Sequence, residues 1–406
     1  MAKSRKNGLM KFAWRNNLIY PLHLLIWTAV RKVLTMLLNY FFEFGGNLLF
    51  TLLMFFAEFI TGLFLYIYEQ SSLKKNKITH QNTSNYLLYN EMEMKPNRSP
   101  VKILFLIFVA SYSDFIEFIL MTNYAPRFSK CSPTLEIRLG GILTITSALF
   151  FYFLLKLPIL RHQHFSLSII VICLIITVIT EYIFQDINFF MTYGEFSLTL
   201  VFLIFEQFFL ALLDSSEKYV VEYEFMNCYK TLSIEGFFGM ILTIIGIFLD
   251  DNNAYQSQLK QIYSEKSGGI FALFIFLLFV YTVLCGLKNA YRVLTNKIYS
   301  PMAKSLTDYF LNPAYIIYNF STDDDFKTNG KKNYVYFFFN LILSILVSFC
   351  GCVFNEIIIL FFCDFERETH DQVSWRANLN YLIELKINSS NDDDEDGTNI
   401  SIITEK

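Results

Sequence analysis

Long apolar runs separated by polar segments repeat along the whole chain. Each run is about 18–23 residues long, which is the length that an α-helix needs to cross the hydrocarbon core of a bilayer. The pattern therefore predicts an all-α polytopic membrane protein with about ten transmembrane helices. The predicted spans are 18–44, 47–68, 101–121, 135–155, 165–183, 196–213, 232–249, 268–287, 297–320 and 334–363.

The polar segments predict how the chain is oriented. A basic segment, 1–16, precedes the first span, and a polar, acidic tail, 366–406, follows the last and is expected to be disordered. With the N-terminus inside, the inside segments hold roughly twice as many Lys and Arg residues as the outside loops, so both termini are predicted to be cytosolic. The inside segments between spans are 69–100, 156–164, 214–231 and 288–297.

A Ser-Pro pair marks the start of two spans. Ser132-Pro133 precedes the fourth span and Ser300-Pro301 lies near the start of the ninth. Serine at a helix cap followed by proline is a helix start signal. Ten spans divide into two five-helix repeats, 17–185 and 186–365, and the two Ser-Pro pairs then mark equivalent spans, the fourth and the ninth. Because each half has an odd number of spans, the second would be inverted, as in transporters whose substrate site lies between two repeats.

The composition agrees with a membrane protein and narrows its chemistry. Hydrophobic residues make up 54% of the 406 residues and aromatic residues 18%, including 45 Phe and 25 Tyr. The net charge of -3 points to no charged macromolecule, and we expect no nucleic-acid partner. Seven cysteines are scattered without metal or redox spacing, so we interpret them as apolar core residues.

The sequence lacks the signatures of membrane enzymes and ATPases. It contains no G-x-x-x-x-G-K-[ST], G-x-S-x-G or H-E-x-x-H segment, and its five histidines do not form clustered boxes. Asp114 and Asp308 could in principle form an intramembrane aspartyl pair, but their surroundings do not favour it. We therefore predict no enzymatic activity, no catalytic residue, no metal and no cofactor.

Charged side chains inside the predicted spans are the candidate site residues. Such residues are costly in lipid and usually face other helices or a water-filled cavity. The candidates are Glu58, Asp114, Asp308, Lys32, Arg138 and Lys304. Arg31 and Lys32 could instead extend to the headgroups from an interfacial helix. A second alternative for the whole set is that the charges pair with one another and only hold helices together.

Short segments spread over residues 54–308 carry a family resemblance. They are Met54-Phe55-Phe56-Ala57-Glu58-Phe59, Asp114, Leu135-Glu136-Ile137-Arg138-Leu139-Gly140-Gly141, Glu217-Lys218-Tyr219, Glu235-Gly236-Phe237-Phe238-Gly239 and Asn296-Lys297-Ile298-Tyr299-Ser300 with Lys304 and Asp308. In order and spacing they resemble elements of the F branch of solute carrier family 35, relatives of the nucleotide-sugar transporters in the drug/metabolite transporter superfamily. Among those elements are M-F-x-x-E-F, E-K-[FY] and E-G-[LF]-F-G.

The resemblance implies ten helices around a cavity that opens alternately to the two sides of the membrane. Its positive charges, on Lys32, Arg138, Lys297 and Lys304, would bind a small anionic solute such as a nucleotide sugar.

The acids have other expected roles. Asp114, Glu117 and Asp308 would pair with these bases in one state or carry a coupling proton. Glu217 and Glu235 are expected to fix the connection between the sixth and seventh spans.

The predicted function is alternating-access transport of a small anionic metabolite. The expected location is an endomembrane, Golgi, endoplasmic reticulum or vacuolar-lysosomal, rather than the plasma membrane. The alternative is a non-transporting scaffold or receptor-like membrane protein that kept the fold. The expected partners are the lipid bilayer and the anionic solute, and a homodimer is a further candidate assembly.

Overall fold

The computed structural model describes most of the apolar segments of the chain. The described residues are 10–12, 19–42, 44, 48–79, 99–119, 139–154, 159–188, 193–222, 224, 226–249, 254–265, 268–298, 311–318, 320–321, 331–361, 365 and 369. Several positions singled out in the sequence lie outside them, namely Ser132, Pro133, Arg138, Ser300, Pro301, Lys304 and Asp308.

Helices make up nearly all of the described residues. In chain order they are α1 (Ile19–Phe42), α2 (Leu48–Thr79), α3 (Pro100–Ile119), α4 (Gly141–Leu154), α5 (Arg161–Asn188), α6 (Tyr193–Glu222), α7 (Cys228–Leu249), α8 (Ala254–Glu265), α9 (Gly268–Ile298) and α10 (Lys331–Phe354). Residues 311–318 are also helical. Two short strands, β1 (Met10–Phe12) and β2 (Ile358–Leu360), complete the described structure.

Seven of these helices are long and apolar enough to cross a membrane, namely α1, α2, α5, α6, α7, α9 and α10. Phe64, Phe105 and Phe279, on three different helices, are 67%, 62% and 65% exposed, as expected for side chains that face lipid. The predicted multi-pass, all-helical membrane architecture is thereby confirmed. The count of ten spans and the inverted repeat stay predictions.

Several predicted boundaries were wrong because the helices continue through charged residues at which the predicted spans end. Helix α2 continues through the predicted loop as far as Thr79, and α6 continues to Glu222. Helix α9 includes the whole of the predicted loop 288–297. Hydropathy ended these spans early because it treats a charge as exposed to water, whereas Arg292 is only 1% exposed.

The last helix, in contrast, is shorter than the predicted tenth span, 334–363. Helix α10 stops at Phe354, and Glu356 adopts a left-handed backbone with φ of 58°. The chain then enters β2, which pairs antiparallel with β1, so that Met10 lies opposite Leu360. Residues 10–12, before α1, and residues 358–360, after α10, therefore lie side by side.

Helices α2 and α7 lie close together at glycines, where the glycine of one helix faces the backbone of the other. A Cβ atom at Gly62 would lie 2.6 Å from the backbone nitrogen of Ser233, and one at Gly236 would lie 2.7 Å from the carbonyl oxygen of Phe55. Small residues permit such backbone contact between membrane helices. Around this pair, α9 packs against α1 and α2, while α3 packs against α6 and α7. Five helices, α2, α3, α6, α7 and α9, therefore surround one centre.

This packing predicts that a methyl group at Gly236 is not tolerated. We expect Gly236→Ala to lower the free energy of unfolding by about 1–3 kcal/mol, because the added carbon collides with the backbone of α2. Gly194→Ala is the matched control, since a Cβ there meets nothing within 4 Å. Thermal unfolding in mild detergent measures both, and equal melting temperatures for the two variants would contradict the described packing.

Candidate functional site

Arg292 lies at the centre that the five helices share. It is 1% exposed and is the largest fully buried side chain in the described part of the chain. Helix α9 carries it on the same face as Asn289 and Asn296, which are three residues before and four residues after it. This one face of α9 therefore presents a guanidinium group between two amides.

Four carboxylates from four different helices surround the guanidinium group. Nη2 donates to Oε1 of Glu217 on α6 at 2.7 Å and to Oε1 of Glu235 on α7 at 2.9 Å. The same nitrogen is 3.6 Å from Oε1 of Glu58 on α2, and Nη1 is 3.5 Å from Oδ2 of Asp114 on α3. All four acids are buried. We call Arg292 and these four acids the arginine cluster.

Neutral donors extend the cluster along α9. The amide nitrogen of Asn289 donates to Oε1 of Glu58 at 2.5 Å. The amide nitrogen of Asn296 donates to Oε2 of Glu217 at 2.7 Å and to Oδ1 of Asp214 at 3.2 Å. Each of the three polar residues on this face of α9 thus binds at least one acid, which fixes the rotation of α9 relative to α2 and α6.

The arginine cluster carries more negative than positive charge if every member is ionised. One guanidinium group faces four carboxylates, and within the described residues Arg292 is the basic side chain that forms ion pairs with them. Two like charges about 4 Å apart repel by about 4 kcal/mol even at an effective dielectric constant of about 20. The excess is therefore a strong constraint on the protonation of this site.

Carboxylate oxygens of Glu58, Asp114 and Glu235 lie within 4.8 Å of one another, a spacing that could suit a cation. The guanidinium nitrogens of Arg292 already contact all three groups, at 2.9 to 3.6 Å. Positive charge at this point is thus provided by the chain itself, and we assign no metal here.

A second polar group lies at the end of α6, next to the cluster. Lys102 of α3 is 2.9 Å from Oε1 of Glu224 and donates to the hydroxyl group of Tyr219 at 2.8 Å. Its side chain is 51% exposed, whereas that of Glu224 is 12% exposed. Lys218 contacts Glu222 at 2.5 Å and the carbonyl oxygen of Lys297 at 3.4 Å. These contacts join the ends of α3, α6 and α9.

The structure brings together two of the six predicted site residues. Glu58 and Asp114 both belong to the arginine cluster. Lys32 lies on an exposed face of α1, while its neighbour Arg31 lies within hydrogen-bonding reach of the Tyr281 hydroxyl group.

The remaining three predicted site residues, Arg138, Lys304 and Asp308, lie outside the described residues, as noted above. Their predicted roles stay predictions.

Sequence reasoning missed Arg292, Asn289, Asn296 and Asp214. A signal was present, because polar residues at 289, 292 and 296 follow helical spacing and no proline or glycine interrupts the chain between 287 and 300. Glu217 and Glu235 were expected only to fix the connection between α6 and α7. They do lie on either side of it, and both bind Arg292.

No protein-family model matches the chain, and no curated protein matches it. The candidate site is therefore argued from its own geometry, and the resemblance to the solute carrier branch stays a prediction. Four acids that belong to the resembling segments, Glu58, Asp114, Glu217 and Glu235, contact Arg292.

Removing the arginine should be far more damaging than removing an exposed base. We expect Arg292→Met to lower the free energy of unfolding by about 3–5 kcal/mol, because it leaves buried carboxylates without their partner. Lys102→Met is the control and should cost at most about 1 kcal/mol, since the Lys102–Glu224 pair is half exposed.

A double variant separates lost charge pairing from lost packing. Adding Glu235→Gln to Arg292→Met should recover part of the lost stability, because one uncompensated charge disappears. Chemical or thermal unfolding in detergent measures the cycle. Strictly additive losses would contradict the pairing.

Proposed function

We propose that the chain is a multi-pass transporter of the drug/metabolite type that moves a small anionic metabolite by alternating access. The observation that carries the proposal is the arginine cluster, in which four of the five charged residues lie on helices long and apolar enough to span a membrane. Intramembrane charges of this kind are expensive, and they commonly mark ion or substrate pathways. Helix packing alone does not need them, because apolar residues of similar volume hold helices equally well.

The contact lengths within the cluster support movement between the two proposed repeats. Arg292 donates hydrogen bonds at 2.7 and 2.9 Å to Glu217 and Glu235, which belong to its own half, 186–365. Its contacts to Glu58 and Asp114, in the other half, 17–185, are 3.6 and 3.5 Å long and are not hydrogen bonds. Charge pairing is therefore tight within the second half and looser across the interface, where alternating access requires contacts to change.

Neutral hydrogen bonds also cross this interface. Asn289 donates to Glu58, and the hydroxyl group of Ser111 donates to the carbonyl oxygen of Glu235 at 2.9 Å. Neutral donors can be replaced by water at little cost when the interface opens. Arg292 is therefore hydrogen-bonded within the second half, whereas the hydrogen bonds that cross to the first half come from neutral donors.

The arginine cluster is not the proposed anion site. Arg292 is already surrounded by four acids whose negative charge exceeds its own positive charge, so a phosphate or carboxylate of a solute would be repelled there. We assign anion binding to Arg138 and Lys304, with Asp308 one turn from Lys304, as the sequence predicts. An endomembrane remains the proposed location.

Uptake into liposomes tests the proposal. Purified protein should give saturable uptake of at least one compound from a panel of nucleotide sugars, nucleotides and sugar phosphates. Arg138→Ala and Lys304→Ala should abolish that uptake while the protein stays folded, because each removes a positive charge from the solute site. Lys102→Ala, which changes the exposed Lys102–Glu224 pair, is the matched control and should retain uptake.

The geometry also gives one reason to weigh the alternative, a non-transporting scaffold. Every acid of the cluster contacts Arg292, and such contacts can simply hold five helices together. A scaffold would show no saturable uptake of any compound and a stable partner that copurifies in mild detergent. A compound that raises the melting temperature of the purified protein would contradict the scaffold. Uptake that persisted in both Arg138→Ala and Lys304→Ala would contradict the assigned solute site.

A further inference from the structure

We propose that the arginine cluster binds an exchangeable proton, that Glu58 is the group that exchanges it, and that this proton is the coupling ion of the transporter. The coupling role rests on the proposed transport function, whereas proton binding does not. The argument uses the charges, the hydrogen-bond donors and the contact lengths of the cluster.

The four carboxylates of the arginine cluster need more positive charge than Arg292 supplies. Four buried carboxylates contact a single guanidinium group. Carboxyl groups that share a desolvated site do not all ionise, because taking up a proton costs less than holding several like charges together. A proton is the cation that needs no additional space in a site where the guanidinium group already contacts the acids.

Neighbouring titratable groups do not remove the excess. The titratable groups of the cluster and those that interact with it are Glu58 on α2, Asp114 on α3, Asp214 and Glu217 on α6, Glu235 on α7, and Cys285, Lys288 and Arg292 on α9. Arg31 on α1 and Glu117 on α3 form a neighbouring pair of opposite charge. Lys288 acts on Glu58, and Arg31 on Glu117. Among these described residues, six acids face three bases, so net negative charge remains.

The hydrogen-bond donors show where a proton would be held. Nη2 of Arg292 has two hydrogens, and its bonds to Glu217 and Glu235 use both. Oε2 of Glu58, Oδ2 of Asp114 and Oε2 of Glu235 are buried and have no hydrogen-bond partner among the described residues. A carboxyl oxygen that receives no hydrogen bond can carry a proton of its own.

Contact lengths select Glu58 as the group that exchanges the proton. Direct hydrogen bonds from a guanidinium group favour the charged form of a carboxylate, and Glu217 and Glu235 receive such bonds. Glu58 has the longest contact to Arg292, at 3.6 Å and through Oε1, and its Oε2 atom has no donor. In Asp114, by contrast, the oxygen without a donor, Oδ2, is the one that faces Nη1 of Arg292, at 3.5 Å. Its ionised form is therefore stabilised less by Arg292 than that of either glutamate in the second half.

The proposed step is a simple protonation. A proton from water forms an O–H bond at Oε2 of Glu58, and the charge of the cluster rises by one. The neutral carboxyl group no longer attracts Arg292, so the loose charge contact across the interface is lost while the contacts within the second half remain. Release of the proton restores the attraction and draws the two halves together. Protonation and opening are thus linked through one residue pair.

Infrared difference spectroscopy tests proton binding without any transport assay. Wild-type protein in lipid nanodiscs should show a protonated carboxyl C=O band that disappears as the pH rises and shifts in D₂O. Glu58→Gln should remove the part of this band that titrates. Glu224→Gln is the matched control, because Glu224 pairs with the half-exposed Lys102 outside the cluster, and it should leave the band unchanged. Absence of a titrating band in the wild type, or its full retention in Glu58→Gln, would overturn proton binding at Glu58.

Liposome uptake tests the coupling role separately. If one proton is exchanged per solute, accumulation should change about tenfold for each unit of pH difference across the membrane. Glu58→Gln should make uptake insensitive to that difference while it retains exchange of solute at equal pH. Should Glu58→Gln fail to fold, Glu58→Asp takes its place, because it keeps the carboxyl group on a shorter side chain. It should then shift the pH dependence of uptake, and an unchanged dependence would contradict the role of Glu58.

The outcomes separate the two proposals. Uptake of solute that follows a sodium or potassium gradient and ignores the pH difference would overturn proton coupling and leave transport standing. A titrating, Glu58-dependent carboxyl band in a protein that takes up no solute would uphold the proton site and remove the transport function on which coupling depends.

Discussion

A guanidinium group keeps its charge even in the middle of a helix bundle, so carboxylates must replace the water that it has lost. Arg292 meets this condition with acids from α2, α3, α6 and α7. The constraint is mutual, because each acid would be an uncompensated buried charge without the arginine. The rotation of α9, the close approach of α2 to α7 at Gly236, and the continuation of α6 to Glu222 all serve to place these groups.

Hydropathy was sufficient to predict the architecture but not the site. Apolar length predicts the multi-pass helical protein because a bilayer demands it, and it identified Glu58 and Asp114 as buried acids for the same reason. It could not place Arg292, since an average over a window scores a compensated charge like an exposed one and therefore ended the span at Leu287. Nor could it choose between Arg31 and Lys32, because adjacent residues differ by about 100° around a helix and the apolar face alone does not fix the rotation.

The arginine cluster also changes the roles that are expected for the charged residues. The sequence suggested acids that serve as partners for solute-binding bases, whereas the described acids greatly outnumber the base that they contact. The proposal therefore assigns the cluster to proton binding and leaves solute binding, as the sequence predicts it, to Arg138 and Lys304.

The pairing of Arg292 is the claim on which everything else depends, and an experimental structure in a lipid nanodisc tests it most directly. A cryo-electron microscopy map that resolves side chains should show the guanidinium group within hydrogen-bond distance of both Glu217 and Glu235, with Glu58 and Asp114 on its remaining sides. A map in which Arg292 faces lipid or bulk water, or in which Glu217 and Glu235 bind different partners, would contradict the account.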